Sequence, residues 1–137
     1  PAAFRKAMAM TADRIVGSVR GSDLLAELAP ATWALVLSSP RSEDLELLIQ
    51  ISARLQAAAG EPLPVGGSRI YISTSIGIAR PGNRLFTSGE AIVAAAEHAL
   101  AEAMAQGPAS VRAYAGPAPL PAAGPASCRS SRTSTNT

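Results

Sequence analysis

The stretch Leu24-Leu-Ala-Glu-Leu-Ala-Pro-Ala-Thr-Trp-Ala-Leu-Val-Leu37 decides how the chain is read. Two short apolar runs, residues 24–29 and 33–37, flank Pro30. Proline has no N–H to give to a ladder, so Pro30 belongs to the connection, and the runs read as two strands joined by a turn.

Working outward, residues 4–19 place Phe4, Met8, Ala12, Ile15 and Val19 at helical spacing, with Gly17 weakening the last turn. Downstream, Ser42 reads as an N-cap, with Glu43, Asp44 and Glu46 at the positive end of the helix dipole. Leu45, Leu48, Ile49 and Leu55 continue a helix that ends near Gly60. Residues 61–67 read as a loop. Residues 68–79 (SRIYISTSIGIA) carry the clearest strand signal, with Ile70, Ile72, Thr74, Ile76 and Ile78 on one face. Residues 80–87 read as another loop. Thr87 and Glu90 form a capping-box pattern before a helix over 89–106, which Gly107 and Pro108 stop. Val111 to Tyr114 reads as a last short strand. From Gly116 the apolar periodicity ends, and residues 116–137 are expected to be a disordered tail rich in Pro, Ala and Ser. Strands and helices interleave without a strict βαβ repeat. The expected fold class is α+β, a sandwich with helices covering a mostly antiparallel sheet.

Composition narrows the function classes. The 137 residues suffice for one core, 47% are apolar, and only 4% are aromatic. The net charge is +2 with a single lysine, Lys6, and no basic run, so nucleic-acid binding has no support. No apolar run approaches the ~20 residues of a membrane helix. The lone Cys128 cannot form an internal disulfide, which fits a reducing compartment and a cytoplasmic location. His98, the only histidine, has no metal-ligating cluster beside it and reads as a surface residue. Ser73 and Ser75 lack a His/Asp partner for nucleophilic chemistry. Gly66-Gly67 precedes a strand and is no phosphate loop. Arg69, Arg80 and Arg84 read as solvated.

Four blocks, in order and spacing, resemble the GGDEF family of diguanylate cyclases. Arg20-Gly-Ser-Asp23 resembles the family's RxxD and is followed, after Leu24-Leu-Ala-Glu-Leu28, by Ala29-Pro-Ala-Thr-Trp33 where the family has GGDEF. Ser73-Thr-Ser-Ile-Gly-Ile78 resembles the xTxSIGxA strand, and Ala96-Glu-His-Ala-Leu100 onward to Gly107 resembles the ADxALYxAKxxG helix. The match spans about residues 4–115, which sets the expected domain at 1–115. The resemblance implies a cyclase-like, ferredoxin-like sandwich. It also implies an opening strand and helix that these residues lack. Either the chain is a fragment, or another segment or a second chain fills that strand, because a sheet missing its middle strand exposes edge groups.

The departures from the family carry as much as the matches. Ala29 and Pro30 stand where glycines let GTP approach the backbone. Ala31 and Thr32 stand where an acidic pair belongs, and hard cations need carboxylate oxygens. Trp33 replaces the phenylalanine and is expected in the core. Met104 aligns with a phosphate-contacting lysine, and Pro108 and Ala109 follow Gly107 where a basic residue and asparagine belong. Phosphoryl transfer depends on positioning and charge neutralisation. The expectation is therefore a domain that is not an enzyme, with no magnesium site and no cofactor.

The retained RxxD implies a cyclic di-GMP site of the family's inhibitory type, formed by Arg20 and Asp23, with Arg54 as the supporting arginine if a short insertion near 38–42 is allowed. Arginine offers a two-pronged fork to guanine O6 and N7 or to phosphate, and aspartate accepts from guanine N1–H and N2–H. The bland alternative is that Arg20 and Asp23 pair or cap a turn. Three readings follow: a catalytically inactive signalling domain that receives cyclic di-GMP and passes the signal to a protein partner or a second copy; a nucleotide-free interaction or dimerisation scaffold; and, least favoured, an active cyclase.

Overall fold

The computed structural model describes residues 2–21, 23–38, 44–81 and 86–116. The order is α1 (Ala2–Gly17), β1 (Leu24–Ala29), β2 (Thr32–Val36), α2 (Leu45–Ala59), β3 (Leu63–Val65), β4 (Ser68–Ile70), β5 (Ile76–Ile78), α3 (Gly89–Gln106) and β6 (Val111–Ala113). This is the expected α+β class. The strands form three two-stranded ladders: β1–β2 and β3–β4 antiparallel, β5–β6 parallel.

The first core forms where α1 meets β3. Ala7, Thr11 and Ile15 recur every four residues on α1, so one stripe is buried. Ala7 packs with Leu63 and Val65, and Met8, Met10, Ile70 and Ile72 complete the cluster. Leu63 is wholly buried, worth about 2–3 kcal/mol relative to exposure. The docking is reinforced by Arg14, whose guanidinium donates to the carbonyls of Glu61 and of Pro62, the latter at 2.8 Å. Buried polar groups on the helices are satisfied locally: Thr11 Oγ1 donates to Ala7 O at 2.8 Å, and Ser52 Oγ to Leu48 O at 2.9 Å.

A second layer is α3 against β5 and β6. Ala95, Ala99 and Ala103 are fully buried, one per turn. This small stripe lets the helix lie close to the strand, and Gly77 takes the closest approach. A Cβ there would stand 2.3 Å from both Ala96 O and Leu100 N. Gln56 ties α2 to this layer, donating from Nε2 to Thr74 O at 2.9 Å.

Several local expectations are corrected. Residues 61–67 are not simply a loop: β3 alternates buried, exposed, buried and turns back through Gly66 and Gly67, with φ of 59° and 82°. Two positive-φ glycines in a two-residue connection give a primed hairpin turn. The run 68–79 is not one strand. Alternation of exposure persists through Tyr71–Ile72, but Tyr71–Ser75 joins no ladder. The N-cap of α2 is Asp44, whose Oδ1 accepts from Glu46 N–H at 3.0 Å; Ser42 lies outside the described residues. The N-cap of α3 is Ser88 rather than Thr87, accepting from Ala91 N–H at 3.1 Å. Asp44, two positions nearer its helix than Ser42, and Ser88, one nearer than Thr87, reach the free N–H groups of the first turn directly. Arg80 is half-buried and partnered rather than solvated. Arg84, Cys128 and nearly all of the 116–137 tail lie outside the described residues.

Candidate functional site at the β1–β2 hairpin

The hairpin pairs Leu24 with Val36, Leu25 with Leu35, Ala26 with Ala34 and Glu27 with Trp33. Between Glu27 and Ala29 the register shifts, leaving Leu28 as the extra residue of a bulge before Ala29 meets Thr32. Pro30 and Ala31 make the turn. Ala31 has φ of 66°, a left-handed conformation costing an L-residue about 1 kcal/mol. A proline followed by a positive-φ residue matches a type II turn, which favours glycine at that second place.

Neither face of this hairpin is sealed. Leu24 and Val36, directly opposed, are 63% and 54% exposed. Trp33, expected in the core, is only half-buried, and among the described residues its strand pairs with β1 alone. The turn offers cations little. Ala31 carries a methyl group and Thr32 a hydroxyl, and the only carboxylate on the two strands, Glu27, faces Trp33 in the ladder. This donor set does not fit a divalent-metal site, which needs several hard oxygens. Among the described residues no group of three or more His, Cys, Asp or Glu could hold a metal ion.

Arg20 and Asp23 stand at the open end of the hairpin. Asp23 N–H donates to Arg20 O at 3.0 Å, closing a turn. The carboxylate of Asp23 accepts from Arg20 N–H at 3.0 Å through Oδ2 and from Ser38 N–H at 3.2 Å through Oδ1. Arg20 is an exposed residue. Arg54 lies exposed on α2, and among the described residues no hydrogen bond or ion pair joins it to Arg20 or Asp23. The structure thus brings Arg20 and Asp23 together through backbone atoms and leaves Arg54 apart from them in bonding. Met104 is 63% exposed near the end of α3. His98, on the same helix, lies 3.6 Å from Glu102 and edge-on to the ring of Tyr114, and Glu102 also lies 3.8 Å from Arg112. The Ser38 partner was not legible in the sequence, because a contact across fifteen positions leaves no local pattern.

Fold and site together define an α+β domain of the nucleotide-cyclase type, with a tight hairpin turn at the signature position and an Arg-x-x-Asp corner at the hairpin's base. The family model described as diguanylate cyclase, GGDEF domain, matches residues 6–110, and the chain belongs to that family. It is similar to the solved GGDEF domain of YfiN (also TpbB) from Pseudomonas aeruginosa, at 26% identity and TM-score 0.77, covering 85% of this chain and 71% of that one. It is also similar to an EAL/GGDEF domain protein from M. capsulatus, at 25% identity and TM-score 0.70, covering 82% and 70%. A shortened form of the P. aeruginosa protein, at 22% identity and TM-score 0.63, covering 77% and 60%, shares the fold. Comparison with curated proteins gave no match. No helix among the described residues is long and apolar enough to cross a membrane.

Proposed function

We propose that this GGDEF domain does not synthesise cyclic di-GMP and acts as a cytoplasmic signalling module. The observation that carries this reading is the signature turn, where Pro30, Ala31 and Thr32 provide neither carboxylate nor glycine. A triphosphate held by two cations has no ligand set there. The module receives cyclic di-GMP through the guanidinium of Arg20, with Asp23 and Arg54 contributing, and reports to a protein partner or a second copy. Arg20 and Arg54 are exposed residues with guanidinium forks, which favours this reading.

A second reading, a scaffold without nucleotide, is favoured by one specific observation: both oxygens of Asp23 already accept backbone N–H groups. Calorimetry with cyclic di-GMP on the wild type and on Arg20→Ala separates the two. Saturable heat lost in the variant supports the receptor; no heat with the wild type leaves the scaffold. Incubation with GTP and magnesium tests the loss of catalysis, and linear accumulation of cyclic di-GMP would refute it.

A further inference from the structure

We draw no further inference here: the strongest candidate, the exposed apolar surface of the β1–β2 hairpin around Leu24, Leu28 and Val36, carries nothing, because nothing in the structure shows what covers it.

Discussion

Asp23 spans the base of the hairpin to Ser38, accepting its backbone N–H at 3.2 Å with one carboxylate oxygen while the other holds Arg20 N–H at 3.0 Å. The pair Arg20 and Asp23 therefore has a structural duty whatever else it does. The carboxylate fixes where the chain enters β1 and where it leaves β2. Asp23→Ala is expected to destabilise the domain by about 1 kcal/mol, the sum of two partly exposed charge-assisted bonds less their hydration. Urea unfolding reads this directly. A midpoint equal to wild type would show that the bonds are not made in solution. The same variant cannot alone report on ligand binding, whereas Arg20→Ala leaves the carboxylate bonds intact because they use the backbone N–H groups of Arg20 and Ser38.

The turn at the signature position yields the opposite sign. Ala31 at φ 66° is strained for an L-residue and relaxed for glycine. Ala31→Gly is expected to stabilise the hairpin by about 0.5–1 kcal/mol, since relief of strain exceeds the entropy glycine adds to the unfolded chain. A β-branched residue there makes matters worse, so Ala31→Val is expected to destabilise. Thermal unfolding of the pair checks the ordering Gly above Ala above Val. Any other order would place the turn in a different conformation.

Gly77 is the least replaceable residue in the described fold. Its absent side chain is where the backbone of α3 passes, with Ala96 O and Leu100 N both 2.3 Å from an ideal Cβ. Backbone atoms cannot rotate away, so Gly77→Ala must push α3 off β5. Overpacking of this kind costs about 3 kcal/mol. The expected readout is a large drop in unfolding midpoint with loss of the Ala95, Ala99 and Ala103 packing, seen as faster amide exchange along α3. A variant of wild-type stability would mean the helix does not approach the strand this closely.

How much of this was legible in the sequence depends on whether the signal was local. The β1–β2 hairpin and α3 were legible to within about a residue, and α2 to within two at its start, because apolar spacing, Pro30, Gly60 and Gly107 all act within a few positions. The β3–β4 hairpin was hidden by Pro64, which argues against a strand, although its exposed edge position makes proline tolerable. The Gly66-Gly67 pair was its one readable sign. The break after Ile70 left no trace, because strand pairing is decided by partners distant in sequence. Trp33 reads as core from its place in the signature, yet it is half-buried, on a strand that pairs only with β1 among the described residues. For the candidate site, Arg20 and Asp23 were found by their spacing to the turn. The bonds from Asp23 to the backbone required the fold.

The α1–β3 core separates two kinds of buried residue that look alike in a burial profile. Leu63 is wholly buried and Thr11 nearly so, at 2% exposed. Leu63→Ala removes packing atoms and leaves a cavity among Ala7, Val65 and the methionines, so a loss of about 3 kcal/mol is expected. Thr11→Val removes a hydroxyl that bonds only Ala7 O, a carbonyl already inside the helix ladder. Shape is retained, and no donor or acceptor is stranded, so the change is expected to stay within about 0.5 kcal/mol. Denaturant unfolding of both variants side by side checks this. A large loss in Thr11→Val would mean the hydroxyl has a second partner, and would turn attention to α1 as a functional rather than a purely packing element.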